Sequence, residues 1–292
     1  MLDARSWLLA GLGLLALTFA VFWVGALRRD SGPRRPSSIQ IGIGFFTDFF
    51  DTLGIGSFAT TTSLYRWRSR VADRELPGTL NVGHAIPTAL QAFIYISAIE
   101  VEIVTLCALI AASVFGAYVG AGRVARWPER QVQIAMAFAL LAAASLIVAR
   151  LLGWLPHGSD ELGLSGIWLA VGIIGNFGLG LLMTLGIGLY APCMILVALL
   201  GMNPKAAFPI MMGSCAFLMP VAGFRFVRAQ SYSAPAALGL TIGGLPAVWI
   251  AANWVKELEL DTVRWLVIAV VLYTAFSLLR AARRREHGSN GA

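Results

Sequence analysis

The feature that most constrains this chain is a pentapeptide that occurs twice, each time within a long apolar stretch. Thr52-Leu53-Gly54-Ile55-Gly56 returns as Thr184-Leu185-Gly186-Ile187-Gly188, 132 positions later. The same offset pairs residues outside the pentapeptide: Phe45 with Phe177, Phe58 with Tyr190, Ala59 with Ala191 and Pro77 with Pro209. These matches predict that the chain contains two copies of one structural unit.

Each copy places two glycines and a threonine in the middle of an apolar run. Glycine destabilises a helix and frees backbone polar groups, which lipid cannot satisfy. Such a break has to face protein or a watery cavity. Transporters build their binding sites from discontinuous helices of this kind.

The composition indicates a polytopic membrane protein. Hydrophobic residues make up 58% and charged residues 13% of the 292 residues, against about 25% charged in typical soluble domains. The net charge of +7 comes from arginines in short connectors, a membrane pattern rather than a nucleic-acid-binding face. Cys107, Cys193 and Cys215 lie in apolar segments without paired spacing. We therefore predict no disulfide, no metal site, no cofactor and no nucleic acid partner.

The distribution of arginine predicts the topology. If both broken segments enter the bilayer and return to the same side, the arginine-rich connectors all lie in the cytoplasm. The predicted fold is an all-α integral membrane protein of seven transmembrane helices plus two re-entrant helical hairpins, in two inverted-topology repeats. The N-terminus is predicted outside and the C-terminus in the cytoplasm. The predicted parts are an N-terminal helix and basic linker (1–37), repeat 1 (38–154), repeat 2 (155–282) and a tail (283–292).

The tips of the broken segments are the predicted substrate site. Pro192 is favoured at a helix start, Thr60 holds the equivalent place in copy one, and helix N-termini bind anions through free N–H groups. The alternative is that the glycines only permit close packing and the threonines bond back to their helix. The residues predicted to bind substrate are Thr52, Gly54, Gly56, Ser57, Thr60, Thr61, Thr62, Asn81, His84, Thr184, Gly186, Gly188, Tyr190 and Cys193.

Three titratable residues are predicted to couple transport to protons: Asp48, Asp51 and His84. Carboxylates at membrane depth are costly and usually functional, and histidine titrates near neutral pH. The alternatives are carboxylates at the rim that pair with Arg66 or Arg70, and a buried neutral histidine. Asn81 lies one turn from His84, and we expect Asn176 and Thr184 to stand opposite this pair. The methionines are interpreted as core filling.

The chain resembles the TauE/SafE family of sulfite exporters over about residues 40–280. The resemblance rests on the two Gly-Ile-Gly breaks and on Leu200-Gly201-Met202-Asn203-Pro204-Lys205-Ala206-Ala207, which is similar to the family's Leu-Gly-x-x-Pro-Lys-x-Ala segment. The N-terminal helix and the Asp48/Asp51 pair depart from the family pattern. The resemblance implies export of sulfite, of a sulfonate such as sulfoacetate, or of a similar small sulfur oxyanion across a bacterial inner membrane.

The leading hypothesis is therefore a secondary transporter and not an enzyme. It has a small anionic substrate and the lipid bilayer as partners, works by alternating access and is coupled to protons. A homo-oligomer is left open. The alternatives are an intramembrane enzyme that uses Asp48, Asp51 and His84, and a channel or membrane subunit of a larger complex. No metal-ligand or nucleophile motif in the sequence supports the enzyme.

Overall fold

The protein is helical throughout the part of the chain that the structure describes. A computed structural model describes residues 3–29, 35–69, 71–154, 160–186, 188–254 and 261–289. Across these ranges there is no strand, and one isolated bridge pairs Glu161 with Met202. The predicted all-helical class is confirmed.

Twelve α-helices follow one another in the described ranges. The first seven are α1 (Ala4–Arg29), α2 (Ser38–Thr52), α3 (Phe58–Leu64), α4 (Leu76–Gly83), α5 (Ala85–Ala98), α6 (Ile103–Val124) and α7 (Glu129–Leu151). The remaining five are α8 (Gly166–Met183), α9 (Tyr190–Leu199), α10 (Ala207–Arg228), α11 (Ala234–Trp254) and α12 (Asp261–Ser289). Of the helices described, α1, α6, α7, α8, α10 and α11 are long and apolar enough to cross a membrane.

The sequence duplication is visible in the helix boundaries. Phe58 begins α3 and Tyr190, its equivalent at the 132-residue offset, begins α9; Glu129 begins α7 and its equivalent Asp261 begins α12. The helix packing follows the same offset, because each broken helix packs on a helix of the other copy. The first broken helix, α2, packs on α11 of the second copy, and α8 packs on α6 of the first copy.

Glycines allow these exchanged helix pairs to approach closely. A methyl group at Gly243 of α11 would lie 2.0 Å from the carbonyl oxygen of Ile41 in α2. A methyl group at Gly180 of α8 would lie 2.0 Å from the carbonyl oxygen of Ser113 in α6. Small residues at such contacts give membrane helices their van der Waals packing.

Both broken segments are interrupted at the repeated pentapeptide. At the end of α2 the N–H of Gly54 donates to Asp51 and that of Ile55 to Phe50, which is a Schellman motif. Gly54 has φ +96° and Gly186, its equivalent, has φ +91°. A residue with a Cβ rarely adopts this conformation, so the glycines are needed to end each first arm.

The apolar run at about 79–98 forms two helices rather than one, because α4 ends at Gly83 and α5 begins at Ala85. Pro87 lacks an N–H group, so the carbonyl of Gly83 has no partner in its own helix. The hydroxyl of Thr241 in α11 donates to that carbonyl at 2.7 Å. The packing of α11 therefore stabilises the interruption beside His84.

The C-terminal helix is longer than the apolar pattern predicts. The last span was expected at about 263–280, and α12 continues to Ser289, through the start of the predicted tail. Residues 290–292, and residues 30–34 of the basic linker, lie outside the described part of the chain.

Candidate functional site

The two glycine breaks line one small buried cavity. It is bounded by residues of α2, α3, α5, α8 and α10 and by both breaks, and its volume is about 20 Å³. That volume holds about one water molecule, so the site is closed in this conformation. Among the described residues the lining comprises Asp51, Gly56, Ser57, Phe58, Thr88, Met183, Gly188, Leu189, Met211, Met212, Cys215 and Met219.

Asp51 is the carboxylate of this cavity. The amide nitrogen of Gln91 donates to its Oδ2 at 3.1 Å and to the hydroxyl oxygen of Thr52 at 3.0 Å. The backbone N–H of Ser57 also interacts with the Asp51 carboxylate. The hydroxyl of Tyr95 donates to the carbonyl of Thr52. α5 therefore fixes the end of α2, and the Asp51 carboxylate lies close to the first tip.

A buried hydrogen-bonded relay lies beside this cavity. The imidazole of His84 contacts Asp48 Oδ1 through Nδ1 at 2.8 Å and the hydroxyl of Thr61 through Nε2 at 3.0 Å. All three side chains are fully buried. Asp48 Oδ2 has no hydrogen-bond partner among the described residues. The relay connects the first arm of the broken segment to the second arm through the interruption between α4 and α5.

Neighbouring residues hold the relay in place. A methyl group at Gly244 of α11 would lie 2.2 Å from Asp48 Oδ2, so the close approach of the carboxylate requires glycine there. The ring of Phe58 lies beside the imidazole, with a centroid distance of 5.9 Å. The His84 ring is fully buried, and its hydrogen-bond partners among the described residues are Asp48 and Thr61.

The predicted hydroxyl groups have different roles. Thr60 donates to the carbonyl of Ser57 at 2.8 Å, as the packing alternative expected. Thr184 likewise donates within its own helix, to Leu181 at 2.7 Å. Thr62 is buried without a hydrogen-bond partner among the described residues, and Thr61 belongs to the relay.

Asn81, Asn176 and Cys193 are not among the described residues that line the cavity. Asn81 donates to the carbonyl of Pro77 at 2.8 Å within α4. Asn176 of α8 donates to the carbonyl of Leu109 and to Ser214, so its contacts are with α6 and α10 rather than with Asn81 and His84. Cys193 is buried in α9. The side chain of Tyr190 lies outside the described part of the chain.

The carboxylates are not paired with the arginines that follow the first broken segment. Asp48 is fully buried and Asp51 is 7% exposed. Arg66 instead pairs with Asp73 and donates to Ser277 at 3.2 Å, while Arg70 lies outside the described residues. The alternative in which Asp48 or Asp51 pairs with Arg66 is therefore wrong, because the guanidinium of Arg66 pairs with Asp73.

Sequence reasoning missed one polar wall and one sulfur wall of the cavity. Gln91 of α5 contacts Asp51, and Thr88 of the same helix lines the cavity. A glutamine inside an apolar span was a sequence signal that could have indicated this wall. Four of the methionines interpreted as core filling, Met183, Met211, Met212 and Met219, form a sulfur wall of the cavity together with Cys215. The Sγ of Cys215 lies 3.7 Å from the Sδ of Met183. No sequence spacing indicates this wall, because it combines α8 with α10.

No group of three or more His, Cys, Asp and Glu side chains is placed to hold a metal ion in the described ranges. The site is a small, amphipathic space lined by one carboxylate, residues of two helix breaks and a polarisable sulfur wall. Such a space can bind a small ligand only after it opens.

Comparison with known protein families gives one match. The family profile described as "Sulfite exporter TauE/SafE" matches residues 1–148. The match begins at residue 1, so it includes the N-terminal helix that was expected to depart from the family pattern. It covers the first copy and its broken segment. Comparisons with curated proteins and with solved structures return no match. The chain belongs to the TauE/SafE sulfite exporter family, whose members are membrane transporters of sulfur compounds.

Proposed function

We propose that this protein is a secondary transporter that exports a small sulfur oxyanion, sulfite or an organosulfonate such as sulfoacetate, coupled to protons. One observation carries the proposal: the two glycine breaks, one from each copy, line the same buried cavity together with a carboxylate. Discontinuous helices that meet at the interface of two repeats are the usual construction of a transporter site. Family membership supports the sulfur compound as substrate class.

The proposed architecture is seven full spans and two re-entrant hairpins, α2–α3 and α8–α9, in inverted repeats. The lengths of α2 (15 residues) and α9 (10 residues) support it, each being about half of a roughly 30 Å hydrocarbon core or somewhat more. α8, with 18 residues, is long enough to cross, so the re-entrant assignment of the second segment rests on the distribution of arginine. The exchanged packing of α2 on α11 and α8 on α6 is what two related repeats with interlocked hairpins would give. Repeats that exchange shapes provide two conformations of similar energy, which alternating access requires.

The proposed orientation places the N-terminus outside and the C-terminus in the cytoplasm of a bacterial inner membrane. The last turns of α1, α6 and α10 carry arginine, as cytoplasmic ends do. The loop that contains Asp160 and Glu161 lies at the opposite end of the spans.

Asp51 provides a physical mechanism for coupling. Its carboxylate lines the cavity beside Ser57, whose N–H group an anionic substrate would need. An anion and an ionised carboxylate repel each other at this distance in a low dielectric. Protonation of Asp51 removes the competing charge. Substrate binding and proton binding then favour each other, and the two would cross the membrane together, outward when the anion is concentrated enough inside the cell to drive both.

The relay provides the second protonation site in this proposal. An ionised Asp48 holds the proton of His84 on Nδ1, so Nε2 is left to accept the hydroxyl of Thr61. A proton that arrives at His84 forms an ion pair with Asp48 and reverses the direction of the hydrogen bond with Thr61. The state of the relay is thereby transmitted to the N-terminal turn of α3, which borders the cavity.

One observation favours a second candidate, an intramembrane hydrolase. Hydroxyl, imidazole and carboxylate occur in the order of a nucleophilic triad. However, Thr61 is fully buried and is not among the described residues that line the cavity. The transporter hypothesis explains the duplication, which an enzyme does not need.

Flux into vesicles tests the proposed function. Purified protein reconstituted in proteoliposomes is expected to transport sulfite or sulfoacetate with saturable kinetics, faster when the pH gradient drives protons in the same direction as the anion. Chemical analysis of the transported compound should recover it unchanged. Absence of saturable flux for every sulfur oxyanion would contradict the transporter, and recovery of a hydrolysed product would favour the enzyme.

A further inference from the structure

The C-terminal ends of three helices form a basic groove that the proposed transport path does not use. We use the term basic groove for the space bordered by Arg29 of α1, Arg126 after α6, and Arg225 and Arg228 of α10. None of these residues lines the cavity between the glycine breaks. Cations at helix C-termini interact favourably with the helix dipole, so the fold tolerates this concentration of charge.

The arginines of the groove have no carboxylate partner among the described residues. The ion pairs of Arg66 with Asp73 and of His84 with Asp48 involve none of them. Two of the guanidinium groups instead stack on aromatic rings: Arg225 lies 3.8 Å above the ring of Tyr118, and Arg228 lies 5.6 Å from the ring centre of Phe22. Stacking uses the faces of a guanidinium and leaves its N–H edges free for a phosphate.

The groove has the space and the apolar walls that a lipid needs. Two cavities of about 650 Å³ and 610 Å³ share Arg228. Val221 and Phe224 line the first, and Val21 and Phe22 line the second. Val21 is 66% exposed, so its cavity continues onto the apolar outer face of α1.

One glycine admits the central arginine. A methyl group at Gly122 of α6 would lie 2.2 Å from Nη1 of Arg225. The guanidinium therefore lies directly on the backbone of α6, between the ring of Tyr118 and the helix end. Its position is determined by packing, as a specific binding site requires and a solvated arginine does not.

We propose that the basic groove binds an anionic phospholipid. One phosphate contacts Arg225 and Arg228, and the acyl chains follow the apolar walls of α1 and α10 outward. Because a second cavity with Arg29 lies on the other side of Arg228, a lipid with two phosphates fits better than a lipid with one. Basic pockets between the ends of membrane helices are known to bind such head groups. This proposal does not depend on the proposed transport function.

Lipid-dependent thermal stabilisation tests the proposal. Full-length protein in a neutral detergent is titrated with cardiolipin, phosphatidylglycerol, phosphatidylcholine and inorganic phosphate, and unfolding is followed by intrinsic fluorescence. We expect the largest rise in Tm with cardiolipin, a smaller rise with phosphatidylglycerol and none with the other two. Equal stabilisation by phosphatidylcholine, or stabilisation by inorganic phosphate alone, would overturn the assignment to an anionic lipid.

Two groove variants and one control variant test whether the lipid binds in the basic groove. Arg225→Gln/Arg228→Gln should weaken cardiolipin binding about tenfold or more, because two arginines near the lipid surface are lost. Arg68→Gln/Arg74→Gln removes the same charge from exposed positions elsewhere and should bind as the parent does. Gly122→Ala keeps every charge but displaces the Arg225 side chain, and it should also weaken binding. If neither groove variant differs from the control, the groove is not the lipid site.

Discussion

His84 is the residue on which the two arms of the first broken segment depend. Its two ring nitrogens contact Asp48 before the break and Thr61 after it. A buried polar group that loses its partner costs about 1–3 kcal/mol, so the relay stabilises the packing of the two arms against each other. In the proposed mechanism the same imidazole also binds the proton. Structure and coupling are therefore linked at one imidazole.

Thr61→Val tests this link at the residue scale. The variant keeps the shape of the side chain and leaves Nε2 of His84 without its hydroxyl partner, which should cost about 1–3 kcal/mol of unfolding free energy. Thr61→Ser retains the hydroxyl and should lose less. Thermal unfolding in detergent measures both variants. Equal stability of the valine and serine variants would contradict the relay.

Asp51→Asn tests the coupling role of the cavity carboxylate. Asparagine keeps an oxygen for the amide of Gln91 but can neither ionise nor compete with an anion. In the parent, a coupling free energy of about 1–3 kcal/mol between proton and substrate would change the substrate affinity roughly 5–150-fold when Asp51 is protonated. The variant is expected to lose most of the pH dependence of transport and to keep only the part that comes from the His84 relay.

The matched control for that experiment is Asp160→Asn, since Asp160 is exposed and distant from the cavity in sequence and in contacts. Its flux should depend on pH as the parent's does. Retention of the full pH dependence in Asp51→Asn would remove Asp51 from the coupling mechanism.

At the scale of elements, the helix breaks could be predicted from the sequence and the contacts between them could not. The repeated Thr-Leu-Gly-Ile-Gly pentapeptide indicated both interruptions, because glycine destabilises a helix and adopts positive φ readily. The relay joins Asp48 to His84 and His84 to Thr61 across three helices, and no spacing in the sequence specifies which faces meet. The interruption at His84 was missed for a similar reason, since it depends on Thr241 of a distant helix.

Gly54→Ala tests whether the break depends on the left-handed conformation of Gly54. At φ +96° an added Cβ should cost about 1–2 kcal/mol. Gly42→Ala in the same helix has nothing within 4 Å of the added methyl group, and it should be neutral or stabilising by up to about 1 kcal/mol. The two variants are compared by thermal unfolding. A Gly54→Ala protein as stable as Gly42→Ala would show that the break does not need glycine.

At the scale of the whole molecule, the proposed topology predicts which surfaces face the cytoplasm. Arg35 and Ala72 flank the first broken segment and are exposed, and Asp160 is exposed at the other end of the spans. With Cys107 replaced by alanine, single cysteines at these three positions can be labelled in intact cells with a membrane-impermeant maleimide. We expect labelling at position 160 and none at positions 35 and 72 until the cells are opened. Labelling at position 72 but not at position 35 would mean that the first broken segment crosses the membrane.

Anion binding to the purified protein tests the central claim most directly, because that claim assigns the substrate to the cavity between the two breaks. Sulfite, sulfate, sulfoacetate and taurine are titrated against the parent, Gly188→Val and Gly178→Val. A Cβ at Gly188 contacts only Phe58, at 3.6 Å, so valine should extend into the cavity, whereas Gly178 has open space around it. We expect the parent and Gly178→Val to select one sulfur anion, and Gly188→Val to bind it about tenfold or more weakly, because its side chain takes the space of the substrate. Equal binding by all three proteins, or no binding of any sulfur oxyanion by the parent, would contradict the account.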